Sequence, residues 1–365
     1  MPPLSFVRTR LVPLEGGRPW VATVAIVLLT ACGSASTRES APPNAAEVPA
    51  TAGVPALPPD ALRVTFLGTG APRPSLERSG PMTLVEAGTQ RVLVDPGPGL
   101  RERLLQAGSF ELISGLDHVL VSHLHFDHTV SLPDLWLTGW LYGRRTPLVV
   151  EGPVGTSAMM RHFEQAFAWD TAYRIAVGVP AAGSSIEARD IDPGVVFTDQ
   201  GLTVTAFDVE HMPIDVRTRQ RIPFEGRTLG FRFDYKGRSL VLSGDTRPSD
   251  TVVGHAQGVD VLVHEVQVPS ADETEEAKLA NVSLSVHTEP RDAAQIFARA
   301  RPRMAVYSHI IPPDVTEAQL RAATPYDGPL TVAHDLLMIT IGDRIEVADR
   351  PRARAETFER SQAIR

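Results

Sequence analysis

Ser122-His123-Leu124-His125-Phe126-Asp127-His128 sets four metal-competent side chains into six consecutive residues, directly after the apolar stretch Asp117–Val121. Imidazole nitrogen and carboxylate oxygen are both good ligands for a divalent cation such as zinc. In an extended turn His123 and His125 project to one side, because side chains two apart share a face, while Asp127 and His128 can turn toward a neighbouring point. Two adjacent metal sites are the expected outcome. Surface histidines in a polar loop are the bland alternative, but imidazoles this crowded repel one another on protonation and serve no packing purpose.

Working outward, the polar cluster sits where a buried strand ends. Upstream, Leu62–Leu67, Met82–Glu86 and Arg91–Val94 are rich in β-branched and apolar residues and are separated by Gly and Pro clusters, which predicts a β-meander. A helix is expected around Leu100–Ala107. Downstream, strands are expected at Pro147–Val150, Leu202–Asp208, Leu229–Tyr235, Ser239–Leu242 and Val259–Val263. Helices are expected at Thr156–Phe167, Pro290–Arg299 and Thr316–Ala323, Pro290 being tolerated at a helix start. Hairpin-spaced strands mixed with strands that lead into helices predict an α+β fold, with two mixed sheets packed face to face and helices outside. No fixed-period repeat interrupts this region.

The chain has 365 residues, 43% hydrophobic, enough to bury a sizeable core. Its formal net charge of -8 offers no bulk attraction for polyanions, so nucleic acid is expected to be an unlikely partner.

The N-terminus reads as an address. Arg8, Arg10 and Arg18 precede the apolar run Val21–Leu29, which leads into Thr30-Ala31-Cys32. The run is shorter than the roughly 20 residues that span a bilayer, so a cleaved signal fits better than a permanent span. Leu29-Thr30-Ala31-Cys32 resembles a bacterial lipobox, which implies a lipidated Cys32 and an exported domain anchored to a bacterial membrane. Cys32 is the only cysteine, which excludes an intrachain disulfide and thiol catalysis within the domain. The expected organisation is a lipoprotein-type signal over 1–32, a flexible Pro/Ala/Ser-rich tether over 33–60, one catalytic domain over 61–349 and a C-terminal tail over 350–365.

The cluster at 123–128 resembles the His-x-His-x-Asp-His signature of the metallo-β-lactamase fold superfamily, complete at all four positions. The resemblance extends over most of Leu62–Ile311 and implies an αββα sandwich. It also implies a ligand set: His123, His125 and His211 on one metal, Asp127, His128 and His309 on the other, and Asp245 on both. Each of these is read as ending a strand, where loops on a rigid sheet present catalytic groups. Val64–Gly70, Arg78-Ser79, Val94-Asp95-Pro96-Gly97 and Glu151-Gly152-Pro153 resemble the ribonuclease Z and arylsulfatase-like branch. Gly68-Thr69-Gly70 is a turn rather than a dinucleotide motif, since Pro72 and Pro74 follow where a helix would be required.

In that branch His264-Glu265 resembles the His-Glu-Ala-Thr motif and His287-Thr288 the His-Ser/Thr motif. The implied roles are His287 as proton donor to the leaving group and Glu265 as its orienter, with Asp127 counted among the catalytic residues and His264 read as a buried structural histidine. There are departures: Val266 and Gln267 replace Ala and Thr, and Phe126 stands where ribonuclease Z usually has Gly. The interval from His211 to Asp245 leaves little room for a protruding RNA-binding arm, and its Arg217, Arg219 and Arg221 read as a small hairpin tip. That also points away from transfer-RNA maturation.

Two zinc ions, or manganese or iron in their place, are expected to lower the pKa of a bridging water enough to supply hydroxide at neutral pH. The expected reaction is hydrolysis of a small ester, phosphodiester or sulfate ester ahead of carboxylic ester. The alternatives are lactone or β-lactam opening, which does not need His287 and Glu265, and a non-catalytic zinc- or ligand-binding lipoprotein, against which the full ligand set argues. A homodimer is among the assemblies the sequence allows.

Overall fold

The computed structural model describes residues 54–351 apart from 216, 217, 219, 223–225, 271–273 and 275–282. The signal, Cys32, most of the tether, Arg217, Arg219 and residues 352–365 lie outside the described residues. Among the described residues no helix is long and apolar enough to cross a membrane.

Two mixed sheets form the centre. The first runs in the order β15 (Ile345–Asp349), β14 (Leu337–Ile341), β1 (Leu62–Gly68), β2 (Met82–Ala87), β3 (Gln90–Val94), β4 (His118–Leu120), β5 (Leu148–Gly152) and β6 (Ile186–Asp190). The second runs β13 (Leu330–Val332), β12 (Met304–Ile311), β11 (Val261–Gln267), β10 (Arg238–Leu242), β9 (Thr228–Tyr235), β8 (Leu202–Val209) and β7 (Gly194–Asp199). Side-chain alternation explains the layering. Leu62, Val64 and Phe66 of β1 join Leu240 and Leu242 of β10 and Val261 and Val263 of β11 in the core between the sheets. The intervening Leu93 and Val119 face outward beneath α1 (Leu100–Ser114), α3 (Leu132–Leu141) and α4 (Thr156–Ala166). On the opposite face Val241 and Leu262 lie beneath α6 (Asp250–His255), α7 (Pro290–Ala300) and α8 (Glu317–Ala323). Among the described residues the other α-helices are α2 (Phe126–Thr129) and α5 (Ala168–Ala176). This is the expected αββα sandwich.

The differences from the sequence reading have local causes. Helix α1 continues seven residues beyond Ala107, because Gly108 resembles a stop signal while Leu112 and Ile113 are still buried against the first sheet; the helix ends at Gly115, whose N–H bonds the Glu111 carbonyl. Strands β6 and β7 are edge strands in which no residue is fully buried. Helix α8 begins with a reciprocal cap between Thr316 and Gln319, as its sequence suggests. Just after the last strand Arg350 is buried and donates to the Ala107 carbonyl, Thr65 and Glu86.

Candidate metal centre

All seven side chains expected as ligands converge. Strand β4 delivers His123 and His125, and the short α2 turns Asp127 and His128 inward. His211 follows β8, Asp245 follows β10, and His309 comes from β12. The loop at Asp95 packs directly on the histidine loop: a Cβ on Gly97 would stand 2.5 Å from the Asp127 carbonyl, so only glycine allows that approach.

Two groups of donors face each other across Asp245. His125 Nδ1 lies 2.8 Å from His123 Nε2 and 3.3 Å from His211 Nε2. Asp127 Oδ2 lies 3.5 Å from His128 Nε2 and 3.6 Å from His309 Nε2. Asp245 Oδ2 is 3.3 Å from both His128 Nε2 and His309 Nε2, and 3.9 and 4.0 Å from the Nε2 atoms of His123 and His211. Tetrahedral ligands with bonds of 2.0–2.1 Å stand about 3.3 Å apart, so the second group has the dimensions of a cation cage. Asp127 Oδ2, His128 Nε2 and His309 Nε2 are moreover buried without any hydrogen-bond partner. Buried polar atoms in that condition cost about 1–3 kcal/mol each, and three aimed at one point suit a divalent cation. The residues fit the metals that the fold implies.

Surrounding groups fix which nitrogen faces inward. Asp95 accepts from the Ser122 N–H (2.7 Å), the Ser122 hydroxyl (2.8 Å) and His128 Nδ1 (3.0 Å). His123 Nδ1 donates to the same hydroxyl at 3.0 Å, and His211 Nδ1 donates to the Val286 carbonyl at 2.9 Å. Each leaves Nε2 free for a ligand role, the usual outer partner of a metal-bound imidazole. Burial pushes the His211 pKa down to about 4 and that of His123 well below its ordinary value, which keeps both neutral as ligands must be. The Asp245 carboxyl is held well below the usual range although burial opposes its charge, because His309 and His128 outweigh that burial. The sequence reading quoted Asp95 and Ser122 without giving them a role; an aspartate ahead of Pro-Gly and a serine ahead of the first ligand were the available signals.

His309 differs from expectation in one respect: it does not end its strand. Between the pairs His264–Tyr307 and Val266–Ile310, β11 spends one residue and β12 spends two. Tyr307 and Ile310 both face the outer core, so the alternation slips, and Ser308 and His309 both line a small cavity behind the ligands. This β-bulge holds His309 at φ 48°, in the left-handed region.

Glu265, on the shorter side of the bulge, accepts through Oε1 from His287 Nδ1 (3.0 Å), the Thr246 N–H (3.0 Å) and the Thr288 N–H (3.2 Å). The His287 ring stands beside His211, with centroids 4.8 Å apart, and His309, at 5.7 Å. Burial disfavours its charge, but the Glu265 carboxylate, with a smaller contribution from Asp245, raises its pKa to about 9. His264 is buried, donates from Nδ1 to the Glu265 carbonyl at 2.7 Å and packs edge-on to Phe297, as a structural histidine would.

A family profile described as "Beta-lactamase superfamily domain" matches residues 90–310. A ribonuclease Z of Mycobacterium sp. (strain KMS) is 32% identical over 287 residues, covering 77% of this chain and 96% of its own. The chain belongs to the metallo-β-lactamase superfamily, in its ribonuclease Z branch. A second branch member, the ribonuclease Z of Mycobacterium bovis (strain BCG / Pasteur 1173P2), is 33% identical over 292 residues, covering 78% and 99% of the two chains. The superfamily fold is also shared with the crystal structure of the short form of human tRNase Z (TM-score 0.53, 23% identity, 77% and 99% covered). It is shared again with YhfI from Bacillus subtilis (TM-score 0.57, 18% identity, 77% and 100% covered). Membership makes the chain a metal-dependent hydrolase. It also overturns the expectation that nucleic acid is an unlikely partner, since these branch members are named for cleaving RNA. Net charge averaged over a whole chain is a poor guide here, because contact with one scissile phosphate depends on the local field, and bound cations dominate that field.

Proposed function

We propose that the chain is a dinuclear, zinc-loaded phosphodiesterase acting on RNA. The observation that carries this reading is Asp245 Oδ2, which stands within 4.0 Å of the inward nitrogens of four histidines drawn from both donor groups. On this reading His123, His125 and His211 hold one metal, Asp127, His128 and His309 hold the other, and Asp245 serves both. When bound, the pair supplies Lewis acidity for a phosphoryl oxygen and an activated water at neutral pH.

The remaining work falls to the chain. His287, protonated against Glu265, gives its proton to the departing ester oxygen. Glu265 positions the imidazole, and two backbone N–H donors, from Thr246 and Thr288, fix Glu265 in turn. Lactone or β-lactam opening would leave this buried pair without a task. Phosphodiester chemistry, with its poor alkoxide leaving group, needs a general acid.

The test is metal analysis of the purified domain combined with cleavage of a structured RNA and of bis(4-nitrophenyl) phosphate. About two zinc ions per chain and cleavage of both substrates, lost on chelation and restored by zinc, are expected. Chelator-resistant turnover, or lactone turnover without phosphodiester turnover, would overturn the reading. The lipobox-like run to Cys32 adds a location: export and lipid attachment at a bacterial membrane. Labelling of the expressed chain by a radioactive fatty acid that survives Cys32→Ala would refute it.

A further inference from the structure

Of the seven ligand residues, six are buried and one, His125, is exposed. His287 is nearly buried, with 9% of its side chain exposed. Solvent therefore reaches the centre at His125, which gives a substrate an approach there. The two chain neighbours of this open ligand are both large and apolar, and both are exposed, Leu124 at 38% and Phe126 at 61%. A Cβ on Gly155 would stand 2.8 Å from Leu124 Cδ1, so the loop carrying Val154, itself 60% exposed, closes against the same edge. Among the described residues an apolar rim borders the side of the centre on which His125 is exposed.

Among the described residues the Phe126 side chain has no packing role. It belongs to none of the three cores. Only its backbone is used, where its carbonyl accepts the Val130 N–H that closes α2. Yet its position is rigid, because His125 before it and Asp127 after it are both committed to the centre. Consecutive Cα atoms are about 3.8 Å apart, so the Phe126 backbone lies one residue from a ligand on either side, and its exposed ring is free to meet a bound nucleotide.

Building on the phosphodiesterase reading, we propose that Phe126 determines specificity by stacking on the nucleobase next to the scissile phosphate, with Leu124 and Val154 completing the apolar rim. Every base offers a π-face, so such a platform selects nucleotides over aliphatic phosphodiesters without choosing strongly among bases.

Two substrates that share a 4-nitrophenyl leaving group isolate this role: adenosine 5′-(4-nitrophenyl phosphate) and methyl 4-nitrophenyl phosphate. Removing one stacked aromatic from an exposed platform is expected to raise KM for the adenosine ester about 5- to 30-fold in Phe126→Ala. Little change is expected in kcat, or in any constant for the methyl ester, and Phe126→Trp should restore the adenosine KM. Equal losses on both esters, or none on either, would overturn the proposal. Should the native protein hydrolyse neither ester, the phosphodiesterase reading fails by itself, and calorimetry with AMP and methyl phosphate decides the stacking. AMP held more tightly than methyl phosphate by the native protein, with that margin lost in Phe126→Ala, supports it; the same margin in both proteins refutes it.

Discussion

Asp95 is not itself one of the expected metal ligands, yet three buried donors converge on its carboxylate, one of them the ligand His128. In Asp95→Asn the retained carbonyl can still accept the Ser122 N–H, but the new amide then meets the Ser122 hydroxyl and His128 Nδ1. An amide donor facing Nδ1 drives the imidazole proton to Nε2, the atom that lies 3.3 Å from Asp245 Oδ2 and 3.5 Å from Asp127 Oδ2. A protonated Nε2 cannot bind a metal. Flipping the amide places its NH2 against the Ser122 N–H, donor to donor, so neither orientation satisfies the site. Loss of such an outer partner weakens metal binding about 10- to 100-fold, and here the weakening should be confined to the metal held by His128. Asp95→Ala leaves all three donors unpaired; at about 1–3 kcal/mol for each, a stability loss of at least 3 kcal/mol should accompany the metal defect. Competition with a chromophoric chelator reads the two metal affinities, and urea unfolding of the metal-free proteins reads stability. Asp95→Asn binding both metals with native affinity would refute the reasoning.

His287→Ala should lower turnover of an unactivated phosphodiester by about 10²- to 10⁴-fold with metal content unchanged, and Glu265→Gln should lower kcat rather than raise KM, as steady-state kinetics with parallel metal analysis would show. A Cβ at Gly68 would stand 2.0 Å from the Gly80 carbonyl oxygen; backbone cannot retreat as a side chain can, so Gly68→Ala should cost about 2–3 kcal/mol in urea unfolding. Asp190 caps α4 from the neighbouring strand by accepting the N–H groups of Gly155 (3.1 Å) and Ser157 (2.7 Å). Burial works weakly against its charge, but those donors hold its pKa below the ordinary value. Its stabilisation is thus complete above about pH 4, the unfolded value, and fades as the pH falls through the lower folded value. Asp190→Ala should cost about 1 kcal/mol at pH 7, and the gap in melting temperature should close on acidification toward pH 3.

The parts legible in the sequence were those governed by local rules. Four ligands adjoin one strand, so His123, His125, Asp127 and His128 announced themselves. His211, Asp245 and His309 depended on a resemblance, since nothing near them distinguishes a ligand from a structural histidine or a turn aspartate. Asp95 was harder to assign, because its partners Ser122 and His128 are 27 and 33 residues away and meet it only once β3 and β4 pair. The αββα layering followed from alternation in β1, β10 and β11, whereas the edge strands β6 and β7 are short and bury no residue fully, which leaves a weaker signal. The mistaken expectation that nucleic acid is an unlikely partner arose from treating a global charge sum as if it described a local surface.

The irregularity at residue 309 sets the protein's durability against its chemistry. A regular β12 would satisfy its neighbours better and would spare a non-glycine residue a left-handed conformation costing about 1–2 kcal/mol, but it would turn the imidazole away from its task. A lineage released from metal binding would therefore be expected to drop this histidine early, accepting glycine or a one-residue deletion, and to gain robustness by doing so. Persistence of His309 in a relative would accordingly be a sign that the relative still works for its living as a catalyst.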